Sequence, residues 1–302
     1  MDQQTLLIPA SPIFSFRECH WFLDRDYDDC MHTIRGESVL KAIRTPFGDI
    51  LFGVSGDGEF LKTTILNGPV TPDARNFLAD YVADWFDVRR DIGPFYELLR
   101  ADSRVAYMAE AFRGLRLVGI SDMFEAICWS IIGQQINLTF AYKLKRRMVE
   151  RYGTHIGWGG EVFPVFPAPE VLAGANIEEL RAMQFSQKKA EYVVGIARAF
   201  AEGKLCPELI AALPDFESRQ KALTAYKGVG IWTANYVLMK TFRMPEGIPH
   251  GDVGLLNALT GHGIIGERSE KDKIEAFFNA FPGWETYLTF YLWRSLAVKR
   301  LP

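Results

Sequence analysis

The stretch from Leu223 to Leu259, LTAYKGVGIWTANYVLMKTFRMPEGIPHGDVGLLNAL, constrains this chain more than any other. An apolar helix end runs into the turn Lys227-Gly228-Val229-Gly230, and a second helix opens at Ile231. Two glycines two apart free the backbone for positive φ and for close approach by another chain. Behind them, the first N–H groups of the next helix lack intrahelical partners and point outward beside the positive end of its dipole. Such a turn is an anion cradle, and its natural ligand is a phosphate. Taken alone, it suits two packed helices equally well. A Pro- and Gly-bearing loop follows, and Asp252 stands immediately before another helical run.

A chain of 302 residues is long enough for two domains. Its net charge of −3 argues against indiscriminate binding to polyanions, but the average hides a split. Residues 1–103 hold 10 Lys/Arg and 17 Asp/Glu, a balance of −7, whereas residues 104–302 hold 24 and 20, a balance of +4. The basic half carries the glycine turn, which is the asymmetry of a DNA-facing unit. The amino terminus, MDQQTLLIPASPIF, has no basic n-region and no cleavable apolar core, and no apolar run reaches the roughly 18 residues of a membrane span. A cytoplasmic protein without membrane association is expected. Cys19, Cys30, Cys128 and Cys206 lack CxxC or His-partner spacing and read as thiols in a reducing compartment, with no metal site.

Short runs near 31–35, 38–45, 48–54 and 59–66, separated by turn compositions, predict an antiparallel meander. Thr71 is placed to cap a helix with Pro72 at its first position. Its apolar residues, from Phe77 to Phe86, fall at helical spacing and suit packing on the sheet. The acidic cluster Asp24, Asp26, Asp28 and Asp29 reads as a solvated loop. From residue 104 strand signals vanish. Ser121 reads as the cap of the run DMFEAICWSIIG, and Asn137 as the cap of a helix whose far end is basic (Lys143, Lys145, Arg146, Arg147, Arg151), as the helix dipole favours. Further helices are expected near 176–184, 187–203, 215–226, 231–243, 253–261, 270–281 and 284–298. The expected fold class is α+β, with an N-terminal antiparallel α/β domain over 1–103 and an all-α domain over 104–302.

The central stretch resembles the helix-hairpin-helix signature of the DNA glycosylase superfamily, Leu-x-x-x-x-Gly-Val-Gly-x-x-Thr-Ala, through Leu223, Gly228, Val229, Gly230, Thr233 and Ala234, with Pro249 and Asp252 downstream. GLRLVG at 114–119, FEAICWSIIGQQIN at 124–137, FPAP at 166–169 and KKAEYVVGIA at 188–197 resemble, in order, blocks of the DNA-3-methyladenine glycosylase II family. The resemblance covers essentially the whole chain. It implies an enzyme that flips a base out of damaged double-stranded DNA. The hairpin, with Lys227, Gly228, Val229, Gly230 and Thr233, would hold a phosphate, and the Gly133-Gln134-Gln135 junction would supply the wedge, assigned to Gln135. Trp232, Tyr236 and Trp293 would sandwich the base, and Asp252 would act at the glycosidic bond.

Elementary chemistry agrees with these assignments. Every base offers a π face, and Trp232 and Tyr236, four apart, share one helix face. An Asp at an N-cap is kept ionised by amides and dipole, and a carboxylate near C1′ stabilises an oxocarbenium-like centre and positions water. Bifunctional members of the superfamily carry a Schiff-base lysine two residues after the last glycine, where this chain has Trp232, so a monofunctional enzyme is expected. No cysteine follows Cys206, which leaves no ligands for the carboxyl-terminal iron–sulfur loop of some members. No cofactor is expected. The resemblance also allows a monovalent cation on the hairpin carbonyls, frequent in the family, and the protein is expected to be a monomer. Two rivals stand beside this reading: a glycosylase for deaminated or oxidised bases, and a non-catalytic DNA-binding module that uses the hairpin only to hold phosphate.

Overall fold

The computed structural model describes residues 4–297. The chain opens with β1 (Thr5–Pro9), α1 (Phe16–Leu23), β2 (Thr33–Arg35), β3 (Ser38–Ile43), β4 (Ile50–Gly56) and β5 (Phe60–Asn67). β2 to β5 form the expected meander. β1 and α1 go beyond the elements expected from sequence, and β1 pairs antiparallel with β5, giving the strand order β1-β5-β4-β3-β2. Thr71 caps α2 (Pro72–Trp85), its Oγ1 accepting from the Ala74 N–H at 3.3 Å. α3 (Gly93–Ala101) and α4 (Met108–Ala111) lead to α5 (Met123–Gly133) and α6 (Leu138–Tyr152). The hairpin β6 (Thr154–Trp158) and β7 (Glu161–Val165) follows, then α7 (Pro169–Ala173), α8 (Ile177–Ala182), α9 (Gln187–Ala201), α10 (Pro207–Ala211) and α11 (Phe216–Thr224). α12 (Ile231–Lys240), α13 (Val253–Gly261), α14 (Lys271–Phe278) and α15 (Glu285–Ser295) complete the chain.

Three expectations need correction. The second half is not all-α, because β6 and β7 pair through a Gly159-Gly160 turn. Their Ile156, Phe163 and Val165 cover Leu40, Ala42 and Leu51 on the second face of the main sheet. β3 is therefore buried from Val39 to Ile43, Lys41 included, with no exposed alternate face, as a strand covered on both faces must be. The cap of α5 is Asp122, whose Oδ1 accepts from the N–H groups of Phe124 (2.8 Å) and Glu125 (3.2 Å). Ser121 instead donates to Asp84 at 2.8 Å. The acidic cluster is only partly a solvated loop. Asp24, Asp26 and Asp28 are exposed, but Asp29 turns inward.

Asp29 meets Lys145 of α6 at 3.3 Å, and the same ammonium bonds Glu125 of α5 at 2.9 Å. Further along the basic end of α6 the pairs lie at the surface: Arg146 pairs with Asp28, and Arg151 with Glu179. Burial alone would raise the pKa of Asp29, but the charges of Lys145 and His32 outweigh it and hold the carboxyl well below the usual range. Glu125 is lowered likewise, burial again being overcome by Lys145 and Lys41. Burial works against the Lys145 ammonium too, yet the two carboxylates hold its pKa well above the ordinary lysine value.

Two main cores result. One packs the sheet (Val39, Phe52, Val54, Leu61) against α2, α3 and α13–α15, so the helices at the carboxyl end complete the core of the amino-terminal sheet across residue 103. The other is built from α5, α6, α9 and α12 around α5, which is buried on all sides from Met123 to Ile132. The four thiols are free, and burial pushes Cys19 and Cys30 up to about 12, so both are inert. No helix among the described residues is long and apolar enough to cross a membrane.

Replacing Lys145 with Met strands two buried carboxylates, and the unfolding free energy at pH 7 should fall by about 3–5 kcal/mol. The pH dependence has a definite sign. Depressed carboxylates stabilise fully above their unfolded values near 4 and lose that contribution as pH falls through the folded values. A raised lysine stabilises fully below about 10.4 and loses its contribution as pH rises beyond. Urea unfolding should therefore show the Lys145→Met deficit on a plateau between about pH 4.3 and 10.4, shrinking on the acid side. A deficit below about 1 kcal/mol would show the cluster to be solvated.

Candidate active site

The glycine turn joins α11 to α12. Gly228 sits at φ +88°, and a β-carbon there would lie 2.4 Å from the Tyr192 ring. Glycine is required on both counts. Gly230 differs: its φ is −84°, and nothing of the protein lies within 4 Å of where a β-carbon would be. Gly230 is also the N-cap of α12 and offers no side chain, so the first-turn amides have no side-chain acceptor. Lys227 and Ile231 beside them are exposed, whereas the side chains of Val229 and Thr233 are buried. Whatever the last two offer an outside ligand comes through the backbone. Gln134, at the end of α5, is half-buried and braces the turn from behind, its Nε2 donating to the Gly228 carbonyl (2.9 Å) and to Thr233 Oγ1 (3.1 Å). The next residue, Gln135, stands exposed at φ +56°, a left-handed conformation that turns the chain out of the helix.

Asp252 caps α13. Its Oδ1 accepts from the Leu255 N–H at 2.7 Å and from Trp293 Nε1 at 3.0 Å, and its Oδ2 makes no hydrogen bond among the described residues. Trp232 and Tyr236 stack with centroids 5.5 Å apart at 21°, and Tyr236 lies 6.4 Å from Trp293. The structure therefore brings Asp252, Trp232, Tyr236 and Trp293 into one half-buried cleft between the two cores. Gly254 keeps the contact open, since a β-carbon there would sit 3.1 Å from Asp252 Oδ1 and 3.5 Å from the Trp293 ring.

A family model described as the HhH-GPD superfamily base excision DNA repair protein matches residues 128–282. The chain belongs to the HhH-GPD superfamily. It is 38% identical over 296 residues to a DNA-3-methyladenine glycosylase of Bacillus subtilis, covering 96% of this chain and 97% of that one. It is 30% identical over 183 residues to DNA-3-methyladenine glycosylase 2 of Escherichia coli, 60% of each chain. The solved 3-methyladenine DNA-glycosylase from Archaeoglobus fulgidus shares the fold over 98% of this chain and 100% of that one, with a TM-score of 0.84 at 23% identity.

This HhH-GPD site also depends on residues that motif spacing does not single out. Asn235 lies buried on α12 and donates to the Ile248 carbonyl at 2.6 Å, which ties the loop before Asp252 to the hairpin's second helix. Gln220 Nε2 of α11 donates to Asn235 Oδ1 at 2.6 Å. Trp129 of α5 donates to the Tyr236 hydroxyl at 3.2 Å. The one local signal was an amide placed mid-helix among apolar neighbours, where it needs a buried partner.

The two glycines should respond differently to alanine. Gly228→Ala combines a positive φ with a clash and should cost about 2–4 kcal/mol of stability. Gly230→Ala should cost no more than about 1 kcal/mol, so any loss of duplex binding it causes reports the approach of an outside backbone. Urea unfolding and duplex titration of both variants provide the check, and unchanged binding by Gly230→Ala would leave the turn as a structural elbow.

Proposed function

We propose that this chain is a monofunctional DNA glycosylase that hydrolyses the N-glycosidic bond of alkylated purines, of the 3-methyladenine and 7-methylguanine type, in base excision repair. The observation that carries the reading is the unpaired Oδ2 of Asp252 beside the rings of Trp232, Tyr236 and Trp293. A binding module has no use for a carboxylate held in that way. The names of the Bacillus subtilis and Escherichia coli relatives support the same activity.

Backbone amides at Gly228–Trp232 hold a phosphate of damaged double-stranded DNA, with Lys227 adding charge, and these contacts position the duplex without reading its sequence. Gln135 enters the stack as the target nucleotide leaves it, and the extruded base settles against the aromatic rings. Asp252 is oriented through Oδ1, so Oδ2 remains to face C1′. As the glycosidic bond breaks, that oxygen stabilises the developing positive charge and orients the incoming water. A purine methylated at N3 or N7 carries a formal positive charge and leaves without a general acid. An indole face attracts such a ring by roughly 0.5–2 kcal/mol beyond ordinary stacking. Trp232 occupies the position where a Schiff-base amine would stand, so the reaction stops at the abasic site.

Asp252→Asn keeps the cap acceptor for Leu255 and Trp293 but removes the charge. Base release from methylated DNA should fall by about 10²-fold or more with duplex affinity nearly unchanged, as single-turnover chromatography of free bases and titration would show. Release near the parental rate would end the assignment. Borohydride added during turnover should trap no covalent enzyme–DNA adduct, and a trapped adduct, or strand cleavage without added base, would mean that another amine acts as nucleophile.

A further inference from the structure

A cavity of about 80 Å³ lies between the segment after α1 and helices α5, α6 and α12, with room on the order of five waters. The chemistry above does not use it. One wall is a run of rings: Tyr27 stacks on Tyr142 (5.2 Å, 22°), Tyr142 leans on Trp129 (4.5 Å, 35°), and Trp129 bonds the Tyr236 hydroxyl. Tyr236 lines the cavity and also stacks on Trp232, so cavity and cleft share a side chain.

The charged side chains of the lining, and His32, are almost all committed. Lys145 is held by Asp29 and Glu125. Lys41 donates to the Met31 carbonyl, and Lys240 to that of Val118. His32 is bonded to the Leu23 carbonyl. Asp29 uses Oδ1 on Lys145 and on the Met31 N–H, while its Oδ2 faces His32 at 3.8 Å. Arg25 is different. Its Nε donates to the Phe22 carbonyl at 2.7 Å and its guanidinium lies 3.7 Å over the Phe22 ring, but its two terminal nitrogens make no hydrogen bond among the described residues. Arg25 and Tyr236 line the same cavity, and burial pushes the Tyr236 hydroxyl up to about 12 against the pull of the Trp129 hydrogen bond and of the Arg25 charge.

We infer that this cavity receives the 6-position edge of the extruded purine and that the free terminal nitrogens of Arg25 select bases with a 6-oxo group over bases with a 6-amino group. The inference rests on the glycosylase reading and adds a specificity determinant from outside the hairpin and the Asp252 cleft. A guanidinium offers only donors, so it pairs with a carbonyl oxygen and not with an exocyclic amine. Arginine recognition of the O6 edge of guanine follows the same rule in duplex DNA. Methylation at N7 or N3 leaves that oxygen free.

Methylated duplex DNA presents 7-methylguanine, a 6-oxo base, and 3-methyladenine, a 6-amino base, to the same enzyme, so one chromatographic assay reads both. Arg25→Gln should lower kcat/KM for 7-methylguanine about tenfold and leave 3-methyladenine within about twofold of the parent. Free 7-methylguanine should likewise inhibit the variant about tenfold more weakly than the parent, with inhibition by free 3-methyladenine unchanged. The unfolding midpoint of the variant establishes that it folds. Equal losses on both bases, or no change on either, overturn the inference while the glycosylase reading stands. A parent enzyme that releases neither base overturns that reading, and this inference with it.

Discussion

Asn235 donates to the Ile248 carbonyl and accepts from Gln220, with its side chain out of solvent. The geometry of the site hangs on that amide. α11 and α12 carry the glycine turn, and the loop after α12 carries Asp252, so one side chain sets the separation between the turn and the carboxylate. The loop backbone lies directly on the helix at this point, where a β-carbon on Gly247 would come within 2.9 Å of the Asn235 carbonyl oxygen. A buried amide left without partners costs far more than a satisfied one contributes, so the loop has one low-energy seat.

The same logic of committed polar atoms runs through the rest of the site. Gln134 is taken up by the turn, which leaves Gln135 to project outward. One oxygen of Asp252 holds the α13 cap and the Trp293 indole, which leaves the other oxygen without a hydrogen bond among the described residues. Around the adjoining cavity the lysines are bound to carboxylates or carbonyls, and Arg25 keeps free donors. In each case the atom to which a role is proposed is one the fold does not consume.

Electrostatics divides along the chain in a related way. The acidic first hundred residues include Asp28 and Asp29, which pair with Arg146 and Lys145 of α6. Part of the positive charge of the second half is thereby spent inside the molecule. Within the basic helix end that reads as a dipole-stabilised surface, Lys145 is a buried anchor between the amino-terminal segment and α5.

Local chemistry was legible in the amino-acid sequence because it acts over a few residues. The meander, the Thr71 and Asn137 caps, the glycine turn, Asp252 at a helix start and the shared face of Trp232 and Tyr236 all follow from periodicity, turn composition and capping. Tertiary structure decided which of these surfaces meet. Trp293 reaches Asp252 across 41 residues, the β6–β7 hairpin covers a sheet face that would otherwise be wet, and Lys145 finds Asp29 across 116. No local pattern encodes such pairings. They arise because apolar faces must be covered and buried charges must be paired, and those demands are met only when the whole chain is packed.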